Sequence, residues 1–297
     1  MRPDDEFADD DDMVPVEEEF KGTALFAGTD NPARYDLGEF RRLHEPLIQR
    51  HERLLRWHYG FSDRLLRLLL DAVKLVEQRP EAAVTQGTFL LAFLMLAAKI
   101  VSHAESIRML TGMGRYGDAA GLCRFGLSDG MMLRYLAVFP EDVGDWFDLS
   151  QLRTPVHEAG KRYKALANKF REGTVRKKLL EGSVTVRGSA LSDLSEAAHP
   201  TVWGMQYYSD MAPGGVFHIH YAPFYDPLPK AQALALFLIL VLYEPIDVFV
   251  AWCTKQAFDW HEPVETRWVA LRVQVEKFVR MALAALDAGM DEFFPRE

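Results

Sequence analysis

The sequence has no Gly-rich phosphate loop, no Gly-x-Ser-x-Gly elbow, no Cys-x-x-Cys pair and no His-Glu-x-x-His helix. Most nucleotide-dependent and common hydrolytic mechanisms thereby lose their usual support, and no cofactor is expected. Cysteine is scarce: Cys123 and Cys253 both sit inside apolar helical patterns. No N-terminal apolar run precedes a small-residue cleavage site, so a reducing cytoplasm is the expected compartment. There is no βαβ alternation to support a parallel sheet and no internal repeat.

What is present is apolar helix. With 297 residues and 49% hydrophobic content, the chain can bury a sizeable core. The formal net charge of -9 is not spread along it. Residues 1–20 hold ten acids (Asp4, Asp5, Glu6, Asp9 to Asp12 and Glu17 to Glu19) against Arg2, which accounts for the whole surplus. Such a segment buries too little apolar area to offset its ordering entropy, so it reads as a mobile acidic tail. The remainder, 21–297, reads as one all-α domain in which N-terminal helices over 35–80 pack on a core over 85–290.

Periodicity predicts a multi-helix bundle of long amphipathic and buried helices. Leucines recur three and four apart from Leu37 to Gln78, with a break expected at Gly60 and Ser62. Thr85 caps a second helix reaching about Leu110, Gly112 and Gly114 supply a turn, and Arg115 to Val138 forms a third helix closed by Pro140. Asp142 to Leu152 reads as a short connecting helix. Thr154-Pro155 starts another, which Gly173 stops, and a further piece runs to about Glu181. Ser192 to His199 ends at Pro200, and a short helix precedes Pro213-Gly-Gly. Val216 to Tyr221 alternates and is the one extended segment expected. Two long helices, about Lys230–Phe258 and Pro263–Ala288, complete the chain. The apolar stretches Phe89–Val101 and Ala231–Cys253 read as buried helices rather than membrane spans. The first is short and carries Lys99; the second is interrupted by Glu244, Pro245 and Asp247.

Polar residues inside these apolar helices mark where chemistry is possible. Arg124 and Ser128 share a face of the third helix, while Asp129 is turned about 140° from Arg124 and is placed to serve a neighbouring helix. A buried guanidinium needs a carboxylate or a route to solvent. His199 ends a short helix with Ser195 one turn before it, a position whose exposed carbonyls favour a charged imidazole and suit a proton donor. Arg124, Asp129 and His199 are therefore the candidate catalytic constellation, with Ser195 beside it. His218 and His220 point to one side of an extended strand, the geometry of two imidazoles on a metal, with His199, His103 and Glu105 as candidate further ligands. A partner- or pocket-lining role is the simpler reading of that pair. Lys161, Arg162, Lys164, Lys169, Arg171, Arg176, Lys177 and Lys178, interrupted only by Glu172, form the one basic stretch able to track a phosphate backbone. Arg53 and His58, four residues between them, match a short Arg-to-His nuclease spacing loosely.

The run Gly114 to Asp129, with Leu133-Arg-Tyr-Leu136 and Leu194-Ser-Glu-Ala-Ala-His199-Pro, resembles a family of bacterial helical proteins similar to HEPN-type domains, over about residues 85–225. That resemblance implies a helix bearing Arg and, four residues on, Glu, then a later Ser-x-x-x-His element. It also implies metal-independent RNA cleavage by Arg and His, as in a defence or toxin system. Here Ser128 stands where the glutamate is expected, and no short Arg-to-His motif lies near His199. The expectation is therefore a non-catalytic helical binding or assembly protein, with a protein partner or self-association through its tail and aromatic loop. The alternative is a HEPN-like endoribonuclease that binds RNA.

Overall fold

A computed structural model describes residues 44–79, 88–151, 157–181, 209–212, 216–219 and 228–287. It is an all-α multi-helix bundle. In chain order the helices are α1 (His44–Leu54), α2 (Arg56–Glu77), α3 (Thr88–Gly112), α4 (Tyr116–Val138), a 3-10 turn (Pro140–Asp142), α5 (Val143–Gln151), α6 (His157–Lys169), α7 (Glu172–Glu181), α8 (Leu228–Lys255) and α9 (Glu262–Asp287). Between α7 and α8, β1 (Ser209–Ala212) pairs antiparallel with β2 (Val216–Ile219), Asp210 opposite His218.

The central element is α8. Its apolar residues Leu234, Leu238, Ile239, Val241, Leu242, Ile246 and Phe249 are all buried, and α2, α3, α4 and α9 surround it. Both α3 and α8 are long and apolar enough to cross a membrane. In this fold 72% of the most apolar window of α8 is buried against other helices, as a core helix requires, whereas 44% of the corresponding window of α3 is. α8 continues through Pro245, and its two acids Glu244 and Asp247 both meet Arg134 of α4.

α4 presents glycines to side chains of α8. A Cβ on Gly126 would sit 2.6 Å from a γ-carbon of Val241, and one on Gly130 would sit 2.9 Å from Cγ of Glu244. This Gly-x-x-x-Gly spacing puts both glycines on one face, where only the missing side chains let the backbones approach. α3 and α4 are joined by a tight reversal. Gly114 takes φ 73°, its N–H bonds Thr111 O, and Arg115 N–H bonds Leu110 O, a Schellman closure that satisfies the end of α3.

Three boundaries differ from the sequence expectations. The first break falls at Leu55 and not at Gly60 or Ser62, which lie inside α2. Ser62 keeps its hydroxyl satisfied by donating back to the carbonyls of His58 and Tyr59, so its polarity does not end the helix. Gly173 lies in the first turn of α7, and the interruption comes at Phe170–Arg171, where Phe170 turns into the core. Residues 209–212, expected in a short helix, form β1 because they supply the backbone partners of β2. The acidic segment 1–20 and the Ser195–His199 element lie outside the described residues.

Candidate functional site

α4 carries its polar residues to two different neighbours. Arg124 donates from one terminal nitrogen to Glu172 of α7 at 3.2 Å, and Ser128 donates to the same carboxylate oxygen at 3.0 Å. The acid missing at position 128 thus arrives in space from another helix. In the sequence Glu172 reads only as the interruption of the basic stretch, and periodicity gives no signal that would orient it toward α4. Asp129, turned away from Arg124, accepts from Lys99 of α3 at 2.7 Å, and its second oxygen faces His103 Nε2 at 3.6 Å. That second oxygen and the His103 nitrogen are both buried without a hydrogen-bond partner.

Burial dominates the electrostatics here. It pushes the Asp129 carboxyl above its usual range, and the Lys99 bond and nearby His103 oppose it only in part. Burial also pushes His103 down, against the raising influence of Asp129, so its imidazole favours the neutral form. Phe125 lies beside that ring, with centroids 6.4 Å apart.

Between these two polar pairs lies a cavity of about 320 Å³. Met95, Leu96, Met131, Met132, Trp146 and Phe170 supply its apolar lining, and Lys99, Ser128, Asp129 and Glu172 its polar groups. The size falls at the lower end of that typical for small-molecule sites, which combine apolar walls with a few fixed polar groups. Each of the four polar groups is held by a bond to another helix, Lys99 to Asp129 and Ser128 to Glu172. The arrangement can orient the polar end of a ligand. That Trp146 on α5 lines the same cavity as methionines of α3 and α4 is not legible in the sequence, because it depends on where α5 packs after Pro140.

Half of the basic stretch is paired with acids. Arg162 bonds Asp148, Lys169 pairs with Asp142 at 2.7 Å and Asp145 at 2.5 Å, and Lys177 lies 3.8 Å from Glu181. Lys178 donates to the Tyr135 hydroxyl at 3.0 Å and lies 3.6 Å from Asp142. Burial pushes Asp142 up, but bonds from Lys169 and Tyr135 outweigh it and hold the carboxyl below its usual range. Among the described residues Lys161, Lys164, Arg171 and Arg176 have no ion pair. Arg176 and Lys177 border a shallow depression with Gly173, Leu180 and Glu181.

The loose Arg53–His58 pattern does not assemble. Arg53 is exposed, whereas His58 is buried against Phe278 with ring centroids 5.1 Å apart. His199, Ser195 and His220 lie outside the described residues, and His218 is described only as a residue of β2. Among the described residues no three His, Cys, Asp or Glu side chains form a group able to hold a metal ion. Comparison of the chain with protein-family models, with curated proteins and with solved structures finds no match.

Proposed function

We propose that this chain is a non-catalytic helical binding protein that holds a compact, mainly apolar small molecule between α3, α4, α5 and α7. One observation carries the reading: a methionine- and aromatic-lined cavity whose four polar groups are already fixed by bonds between helices. Flexible methionines adapt to varied apolar shapes, and preformed polar groups lower the ordering cost of binding. Arg124, placed beside the cavity, acts by holding Glu172 in position. The test is a screen of small aromatic and aliphatic fragments against protein labelled at its methionine methyl carbons. The expected hits shift Met95, Met131 and Met132 together; a screen in which no fragment moves this trio contradicts the reading.

Glu172 lends some support to a second reading, metal-independent RNA cleavage, because it supplies a carboxylate to Arg124 where the HEPN-like pattern has one. Its test is cleavage of a mixed RNA pool in EDTA by the intact chain and by His199→Ala. Activity that disappears in the variant supports the nuclease, and no cleavage by the intact chain removes it as an activity of the isolated protein.

A further inference from the structure

α1 and α2 follow one another with a single break at Leu55, and their buried residues Leu55, His58, Tyr59, Ser62, Leu65, Leu69, Ala72 and Val76 mark the inward face. At about 100° per residue, Arg53, Arg56, Arg64, Arg67, Asp71 and Lys74 fall within a narrow arc on the opposite side. Arg53, Arg56, Arg64, Arg67 and Lys74 are all exposed. The row spans about 32 Å at the helical rise of about 1.5 Å per residue. Asp71, the one acid on it, is taken by Arg267 of α9 at 2.6 Å. The flanking acids Glu52 and Asp63 are both taken by Arg108 of α3. Arg64 donates to the neutral Gln274, and among the described residues Arg53, Arg56, Arg67 and Lys74 have no ion pair. Like charges three and four residues apart on a helix repel, so this row is destabilising unless an anion lies over it.

The chain itself contains the matching anion. Residues 4–12 hold seven acids, and the segment 1–20 carries the entire negative surplus of the protein. Extended, nine residues cover about 30 Å, the length of the row. The connection from Glu19 to His44 spans up to about 80 Å, so it reaches any point on α1 and α2. Tethering two such surfaces in one molecule gives an effective concentration on the order of millimolar.

We propose that the acidic segment, residues 4–12, docks in cis along the arginine row of α1 and α2, covering Arg53, Arg56, Arg64, Arg67 and Lys74. The interaction neutralises the row and withholds it from other polyanions.

The experiment uses a fluorescent peptide of residues 1–20 and three full-length proteins. These are the natural chain, a variant with Asp4, Asp5 and Asp9 to Asp12 changed to Asn and Glu6 to Gln, and that variant with Arg53→Glu and Arg67→Glu added. Both arginines are exposed, and a cooperative melting transition with unchanged helical circular dichroism in each establishes that all three proteins are folded. The peptide is expected to bind the tail-neutralised chain about ten-fold more tightly than the natural chain, whose own segment occupies the row. Binding should weaken about ten-fold as salt rises from about 50 to about 300 mM, and it should be lost with the two arginine changes. Equal binding to the natural and tail-neutralised chains overturns the proposal, as does binding that survives Arg53→Glu and Arg67→Glu. So does dimerisation that requires the tail, which would place the segment on a second copy. A single-stranded RNA of 20 nucleotides bound equally tightly by the natural and tail-neutralised chains would assign the row to nucleic acid and likewise overturn the proposal.

Discussion

At the scale of single residues, His58 and Ala257 are held in states that their chemistry resists. Burial lowers the His58 pKa from 6.5 to about 4, and its Nδ1 has no hydrogen-bond partner. A depressed pKa means that the unfolded chain takes up this proton first as the pH falls. The contribution to stability is therefore whole above about pH 6.5 and is lost progressively toward pH 4, reaching about 3 kcal/mol. Urea unfolding at pH 7 and pH 4.5 should show this loss in the natural protein and a much smaller one in His58→Phe. Identical pH dependence in the two would locate the acid sensitivity elsewhere. Ala257 closes α8 with φ 55°, and the N–H groups of Ala257 and Phe258 bond the carbonyls of Thr254 and Cys253. Phe258 then packs on Trp252 with ring centroids 5.6 Å apart. An L-residue resists this left-handed conformation and glycine does not. Ala257→Gly should raise stability by about 1 kcal/mol and the melting temperature by about 3 °C. A lower melting temperature would show that the methyl group contributes more through packing than it loses in strain.

At the scale of elements, the contact between α4 and α8 sets the geometry of the bundle. Gly126 and Gly121 lie on the same helix but face different surroundings. A Cβ at 126 would meet Val241, which is fully buried, while one at 121 meets nothing within 4 Å. Gly126→Ala should therefore destabilise by about 1–3 kcal/mol through overpacking. Gly121→Ala should stabilise by up to about 1 kcal/mol through helix propensity. Thermal melts of the two variants check both signs, and equal effects would mean that the close approach does not constrain the interface. The same contrast explains what was legible in the sequence. Helix type followed from apolar periodicity, the buried status of α8 from a continuous apolar stretch interrupted by Glu244, Pro245 and Asp247, and the Gly112–Gly114 turn from residue chemistry. The break at Leu55 was not legible, because no glycine or proline marks it, whereas Gly60 and Ser62 carry signals that the tertiary packing overrides. Arg124 was legible as a residue that needs an acid, but its partner Glu172 lies 48 positions away within a basic run. Local pattern carries no information about which helix will supply a long-range charge.

At the scale of the whole molecule, charged side chains among the described residues bond neighbouring helices to one another around an apolar core. Lys99 joins α3 to α4, Glu172 joins α7 to α4, and Glu244 and Asp247 join α8 to α4 through Arg134. Two of these junctions border the cavity and fix its polar groups while leaving the methionine surfaces adaptable. The most direct test of the binding account fills the cavity instead of removing its charges. Met132, half-buried on its wall, is replaced by Trp, and the tightest-binding fragment is titrated calorimetrically into the natural and substituted proteins. The account predicts that Met132→Trp melts within a few degrees of the natural chain yet binds at least about ten-fold more weakly, a loss of about 1.4 kcal/mol or more. Unchanged affinity in a folded Met132→Trp protein would contradict it, because the fragment would then be held somewhere other than the cavity between α3, α4, α5 and α7.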